Sequence, residues 1–435
     1  MRRFALEKLK KWKDSESRKP LIIRGARQVG KTWLMKEFGR ECFENVAYVN
    51  FDSNVRMKGV FEGQIDIERI ILAIEIETGV TIERENTLLI FDEIQEVPRA
   101  LSSLKYFYEN APEYAIVAAG SLLGVAMHKK TSFPVGKVDF MDLYPLNFQE
   151  FLCALGEERY VDILQGKDTD MVNTFKDKYI DRLREYYYVG GMPEVVQTYV
   201  DTRNFKKVRE LQKNLINYYQ QDFSKHAEMN LVTRLNLVWN SIPMQSAKEN
   251  KKYIYGQVRE GARAKDFELA IQWLLDCGLI HKVQRINKPS LPLKAYMDLN
   301  AFKVFLLDIG LLIAMTDLDV KVILEGNKIF TEFKGALTEQ YVLQQLISEN
   351  GVMPYYYSAT NSQGEIDFVV QGKTSVIPIE VKAEENLRAK SLKAFCDKYS
   401  PKFAVRTSMS DYRKQDWMTN IPLYNIDRIR DYLEQ

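Results

Sequence analysis

Histidine and cysteine are scarce in this chain, with three of the first and four of the second among 435 residues. Cys42, Cys153, Cys277 and Cys396 are scattered without a CxxC pair, which argues against a zinc ribbon or a disulfide framework and fits a reducing compartment. His128, His226 and His281 lack metal-ligand spacing and read as incidental. A long hydrophobic run is also missing. The longest, Ala115 to Met127, contains Gly120 and Ser121 and is too short to span a bilayer. The N-terminal stretch MRRFALEKLKKWKDSESRK has no apolar core of the kind a secretion signal needs. Its Phe4, Leu6, Leu9 and Trp12 predict a short amphipathic helix instead. A cytoplasmic protein without a membrane partner is expected. Nor is there an excess of one charge: the net value is +2, so any surface for a polyanion must be local.

What the chain does have is ordinary globular composition, 46% hydrophobic and 12% aromatic, which is too apolar for a disordered chain. Its length predicts two or three domains. Residues 20–145 alternate short apolar runs with helical stretches, the signature of a mostly parallel sheet covered by helices. Candidate strands are PLIIRG, NVAYVNFD, TLLIFDEI, YAIVAAGS and KVDFMDL, whose near-continuous apolar character suits burial on both faces. From about 146 to 250 the pattern is helical and aromatic, interrupted by the breaker cluster GGMPE at 190–194. Residues 253–300 read as helix, turn, helix and a hairpin. Beyond a soft boundary near 320–330 come a helix, a strand, a hairpin and a helix. The resulting division is 1–155, 156–250, 251–325 and 326–435.

Gly25, Ala26, Arg27, Gln28, Val29, Gly30, Lys31 and Thr32 match G-x-x-x-x-G-K-[ST] without departure. The motif follows the apolar strand Leu21-Ile22-Ile23 and precedes the helical WLMKEF, as a P-loop must. Its glycines let backbone N–H groups curl around a phosphate, and the helix N-terminus adds positive potential. Lys31 is placed to reach the β- and γ-phosphates of ATP, and the Thr32 hydroxyl to ligate magnesium. Downstream, Leu88-Leu89-Ile90-Phe91 ends in Asp92-Glu93. A strand-end aspartate can hold the magnesium through water, and the adjacent glutamate can orient and deprotonate the attacking water. Ser121, after the next strand, is either a polar sensor of the γ-phosphate or a helix N-cap. Arg24 and Arg27 flank the loop, or face solvent.

A second acidic constellation lies near the C-terminus, in Gly364-Glu365-Ile366-Asp367-Phe368-Val369-Val370 and Val376-Ile377-Pro378-Ile379-Glu380-Val381-Lys382. Paired as a hairpin centred between Lys373 and Thr374, the two runs place Asp367 opposite Glu380, with Lys382 on the same face. Opposed carboxylates destabilise a sheet unless a cation bridges them, so a metal explains the arrangement. A lysine beside a metal-bound water can activate a hydrolytic nucleophile. The D…E-x-K pattern is that of the restriction-endonuclease-like nucleases, and Glu339 on the preceding helix stands where that fold often places another acid. A solvated edge hairpin is the competing reading. Pro378 implies an edge or a bulge, and a bulge would shift the register by one.

Taken together, GARQVGKT, LLIFDEIQ, GSLL, LYPLNFQEFL, GGMPE, KVFLLDIGLL and GEIDFVV with IPIEVKA resemble a group of bacterial and archaeal AAA-plus-like ATPases with a C-terminal domain of unknown function. The resemblance covers nearly the whole chain and rests most on LYPLNFQEFL followed by GGMPE. It implies an α/β P-loop NTPase domain, then a helical and winged-helix region, then a C-terminal α/β restriction-endonuclease-like domain. Where relatives carry Gly-Arg after the sensor strand, this chain has Gly136-Lys137, and lysine cannot reproduce the bidentate contacts of an arginine finger.

Lys251, Lys252, Arg259, Arg263, Lys265, Lys282, Arg285 and Lys288 give residues 251–288 a basic lean, either for DNA phosphates or as the solvated face of a protein-interaction module. Tyr186-Tyr187-Tyr188 reads as helix packing rather than a base-stacking platform. The leading expectation is an ATPase whose nucleotide state controls a DNA-directed tail, with nuclease activity left open. A regulatory ATPase switch, whose tail binds a protein partner and cuts nothing, is the alternative. A small-molecule kinase is weaker, since no substrate pocket or lid is evident. Self-association is left open.

Overall fold

The computed structural model describes residues 1–120, 124, 133–247, 252–324, 331–348, 351–359, 364–385 and 389–435. The chain divides into two compact units, Arg2–Tyr144 with Asp276–Leu279, and Pro145–Leu275 with Ile280–Gln435 and Met1.

In the first unit all five expected strands form: β1 (Leu21–Arg24), β2 (Asn45–Asn50), β3 (Thr87–Asp92), β4 (Ala115–Ala119) and β5 (Asp139–Asp142). They make one parallel sheet in the order β2-β3-β4-β1-β5. Burial on both faces holds for β3, β4 and most of β1, whereas the edge strands β2 and β5 are only partly covered. Edge-to-face rings of Phe51, Phe61, Phe91 and Phe107 fill one side of this core. The expected N-terminal amphipathic helix runs Ala5–Lys13 and buries Leu9 and Trp12. Because β1 lies between β4 and β5, its C-terminal end opens at a point where strand order reverses, and the P-loop leaves the sheet there.

The second unit begins with a helical stretch that includes Phe148–Ala154, Lys176–Val189, Pro193–Thr202, Phe205–His226 and Met229–Ser246. A mixed sheet follows, built from β6 (Ile280–Ile286), β7 (Met297–Leu306), β8 (Tyr355–Ser358), β9 (Glu365–Gln371), β10 (Val376–Val381), β11 (Val405–Ser408), β12 (Arg413–Lys414) and β13 (Thr419–Pro422). Its order is β12-β13-β11-β10-β9-β8-β6-β7. The hairpin expected near 279–300 is therefore the pair β6–β7, preceded by the helix Ala264–Asp276. It does not stand as a separate wing: β6 pairs with β8, so strands from both sides of the boundary expected near 320–330 share one sheet.

Pro378 departs from expectation as well. Strand β10 is internal, between β9 and β11, and its register with β9 runs without a bulge from Val376↔Gln371 to Ile379↔Phe368. Gly372 N–H donates to Ser375 O across the turn, which makes Ile377 and Ile379 the hydrogen-bonded partners in this ladder. The nitrogen of Pro378 thus faces away from β9, and pairing to β11 begins one residue later, at Ile379. No ladder bond is lost, so proline is tolerated inside the sheet.

The signature segments meet in a buried polar knot within the second unit. Asp308 accepts Gly191 N–H at 2.6 Å, Leu311 N–H at 3.0 Å and Gln344 Nε2–H at 3.2 Å. Gln344 also accepts Ile309 N–H and donates to the Tyr186 hydroxyl, which donates to Leu146 O. Gln345 accepts Phe148 N–H, and Gln340 holds both the N–H and the carbonyl of Leu306. Tyr186, Tyr187 and Tyr188 are all buried here, in keeping with helix packing.

Candidate functional site

The loop between β1 and the helix Lys31–Cys42 has the backbone a phosphate cradle requires. Gly30 is left-handed at φ +94°, Gln28 lies at +64°, and Gly25, at +149°, faces the Leu143 carbonyl so closely that a Cβ would stand 2.2 Å from its oxygen. Arg3 braces the loop from below, donating to Val29 O at 3.0 Å and Tyr144 O at 2.7 Å. Val29 and Ala26 are buried, which fixes the loop against the sheet.

Lys31 is 6% exposed, and its ammonium donates to Gly25 O at 2.9 Å and Ala26 O at 2.8 Å. Burial pushes its pKa down to about 8, against the opposing pull of Glu93 and Asp92. Thr32 Oγ1 donates to Asp92 Oδ2 at 2.7 Å, and Tyr48 OH donates to the same oxygen at 2.9 Å. Burial, foremost, pushes the Tyr48 hydroxyl up to about 12, so it stays a donor. Glu93 occupies the left-handed region at φ +51°, just past the end of β3. Its backbone N–H is held by Asp92 Oδ1 at 3.1 Å, and its carboxylate accepts Gln95 Nε2–H at 2.6 Å. A glutamate held in that sparsely populated region marks a position shaped by more than local preference. The geometry therefore gathers Gly25 through Thr32, Asp92 and Glu93 at one end of the sheet.

Of the other residues named from the sequence here, Ser121 lies outside the described residues. Arg24 turns to Asp142, with bonds of 2.9 and 3.0 Å. Lys137 pairs with Glu109 at 3.0 Å. Sequence reading missed Tyr48, which the period-2 pattern of β2 exposes on the Asp92 side but which carries no motif of its own.

In the tail, the β9–β10 ladder ends at Ile379↔Phe368, one position short of the expected Asp367–Glu380 pair. Lys382 Nζ sits 2.7 Å from Glu380 Oε1, and Glu380 Oε2 accepts the N–H of Leu392 at 3.2 Å, in the first turn of the helix Lys390–Tyr399. Asp367 Oδ2 accepts Val381 N–H at 2.7 Å. Glu339 meets a lysine. Its Oε2 lies 3.5 Å from the ammonium of Lys303, a β7 residue 1% exposed that also meets Glu365 Oε1 at 2.5 Å. Burial lowers the Lys303 pKa, but Glu339, Glu365 and Asp367 outweigh it and hold the group above its ordinary value. The sequence expects Asp367, Glu380 and Glu339 to share one metal. Among the described residues, no group of three or more His, Cys, Asp or Glu side chains is arranged to hold a metal ion. No spacing argument could bring Lys303 to this place, because only the β6–β8 pairing carries β7 into the tail sheet.

The basic lean of residues 251–288 is partly spent inside the fold. Arg285 pairs with Asp298 at 2.5 Å, Lys282 lies 4.2 Å from the Phe302 ring centroid, and Lys288 lies 5.5 Å from that of Tyr296. Lys251 and His128 lie outside the described residues. No helix among those residues is long and apolar enough to cross a membrane.

Residues 17–152 match the family described as AAA domain. This match and the P-loop define the class: the first unit is a P-loop ATPase domain of AAA type, and the chain is an ATPase. Residues 180–321 match one domain of unknown function (DUF8612), and residues 334–426 match another (DUF4143). No curated protein matches the chain. A solved Walker-type ATPase of Pyrococcus abyssi is similar at 14% identity, over 71% of this chain and 95% of its own, with a TM-score of 0.45. The Thermotoga maritima RuvB Holliday junction branch migration motor overlaps at 13% identity, over 65% and 89%, with a TM-score of 0.30. The Aeropyrum pernix Orc1 protein, solved in complex with DNA, overlaps at 11% identity, over 72% and 90%, with a TM-score of 0.28. TM-scores of this size mark a loose overlap.

Proposed function

We propose that this chain is a magnesium-dependent ATPase switch whose nucleotide cycle controls its mixed-sheet tail, and that the tail binds a partner without cutting it. The observation that carries the ATPase half is the 2.7 Å bond from Thr32 to Asp92 beside the buried Lys31 ammonium. In this reading the N–H groups of Gly25 to Gly30 cradle the phosphates, and Lys31 neutralises the charge that develops on them. Thr32 and Asp92 would hold magnesium, which supplies further neutralisation of phosphate charge when bound. Glu93 orients the attacking water and takes its proton. Glu93→Gln is expected to leave ATP binding intact while slowing turnover ~100-fold or more. Equal loss of binding and turnover would remove Glu93 from the role of base.

Lys31 gives the site a proton signature. With a pKa of about 8 in its carbonyl cage, part of this lysine is neutral at pH 8–9, and anionic phosphates raise it again. ATP binding at that pH is expected to take up protons, and binding at pH 6.5 to take up few at this residue. Titration calorimetry in buffers of different ionisation heat reads the difference. Equal buffer dependence at both pH values would contradict it.

A metal-dependent nuclease tail is the second reading, supported by Asp367 and Glu380 lying just past the end of the β9–β10 ladder and by the 2.7 Å contact between Lys382 and Glu380. It makes the C-terminal domain restriction-endonuclease-like. ATP turnover measured with and without DNA, while the DNA is followed for cleavage in magnesium and in manganese, separates the two. Intact DNA is expected throughout. Nicking that disappears in Lys382→Ala while turnover survives would replace the first reading with the second.

A further inference from the structure

The KVFLLDIGLL stretch carries chemistry at two positions. Asp308 anchors the polar knot, and Lys303 reaches into the acid cluster of the tail. We infer that Lys303 is the resident counter-ion of Glu339, Glu365 and Asp367, so that this cluster works without the divalent cation its sequence pattern suggests. The inference goes beyond the ATPase reading and stands independently of it.

Four observations lead there. Lys303 is 1% exposed, so its charge has no solvent to fall back on and must be met by protein. Glu365 meets it at 2.5 Å and Glu339 at 3.5 Å, the first from strand β9 and the second from the helix Thr331–Ser348. The ring of Tyr356 lies 4.9 Å away and adds its negative face. Finally, the carboxylates that would define a shared metal already have partners: Glu339 meets Lys303, while Glu380 meets Lys382 and the N–H of Leu392. A divalent ion and an ammonium cannot both occupy the same small space between the same oxygens, because their repulsion in a desolvated site is large. The protein has thus supplied its own cation to a group of acids that would otherwise repel one another. Asp367 acts on the same ammonium and accepts the N–H of Val381, between Glu380 and Lys382.

The test uses the full-length protein, freed of metal and titrated with manganese in the absence of nucleotide, with free Mn2+ read by its paramagnetic resonance. Glu339→Gln is expected to bind as much Mn2+ as the wild type, since Glu339 already has its cation. Lys303→Met, which keeps the length and removes the charge, is expected to gain one equivalent of Mn2+ held at least tenfold more tightly than any in the wild type. Lys303→Met with Glu339→Gln should lose that equivalent again. Mn2+ binding by the wild type that falls in Glu339→Gln would overturn the inference, as would a folded Lys303→Met that gains none. If Lys303→Met fails to fold, the comparison of wild type with Glu339→Gln still decides for or against the inference. ATP turnover, read on the same samples, reports separately on the P-loop.

Discussion

Lys31→Ala is expected to abolish ATP turnover, lowering the rate by about 100- to 1000-fold, the usual cost of removing one donor from a charge-stabilising site. Its ammonium is held by two backbone carbonyls at the mouth of the helix Lys31–Cys42, close enough to Glu93 and Asp92 to feel both charges. A short neutral side chain leaves those carbonyls facing the phosphates with nothing to offset them. Affinity for ATP should fall as well, because the lysine acts on ground state and transition state alike. Steady-state phosphate release and equilibrium binding of a fluorescent ATP analogue measure the two effects. A variant that turns over ATP within tenfold of the wild type would show that the loop is not the site of hydrolysis. Arginine is no substitute at this position, since a planar fork cannot fit the cage that a compact ammonium fills.

Asp308→Ala is expected to be the most damaging single change in the second unit. The carboxylate receives the N–H groups of Gly191 and Leu311, both buried, and the amide of Gln344. Leaving two buried backbone donors without a partner costs about 1–3 kcal/mol each. That sum is a large part of the roughly 5–15 kcal/mol by which a domain is stable. Gly191→Ala attacks the same knot from the other side, because an added Cβ would stand 2.1 Å from Leu146 O, a backbone atom that cannot swing away. Urea unfolding followed by tryptophan fluorescence should show both variants unfolding at lower denaturant, or neither accumulating in soluble form. An Asp308→Ala midpoint equal to that of the wild type would refute the assignment. Since Lys31, Asp92 and Glu93 belong to the other unit, nucleotide binding by whatever variant remains folded reports on a separate part of the chain.

These two sites differ in how far they could be read from the sequence. The P-loop was fully legible because its chemistry is local: eight consecutive residues make the cradle, and the strand before it and the helix after it are periodic enough to recognise. Asp92 and Glu93 were legible by the same logic, at the end of an all-apolar strand. The β9–β10 register was also accessible, since a short antiparallel turn fixes which residues oppose each other. The parts that were not legible depend on contacts between distant segments. Pro378 argued for an edge strand, yet its neighbours come from residues 365–371 and 405–408, and only the second pairing decides which way its nitrogen points. Lys303 carried no signal of its own, because nothing in residues 280–286 says that they pair with residues 355–358. LYPLNFQEFL, GGMPE and KVFLLDIGLL stood out as signatures without an evident role. Their backbone N–H groups turn out to be met in the interior by Asp308 and by Gln344 and Gln345 of the helix Thr331–Ser348.

The way β6 and β7 complete the tail sheet bears on how this protein should be cut for experiment. A fragment spanning residues 334–426, the segment that matches a domain family of its own, would leave β8 as a raw edge with unsatisfied N–H and C=O groups along the side where β6 belongs. The same cut strips Lys303 from Glu339 and Glu365. Such a fragment would aggregate through its edge and collect cations at carboxylates that the intact chain has already neutralised. Cation binding measured on it would describe the scissors rather than the protein.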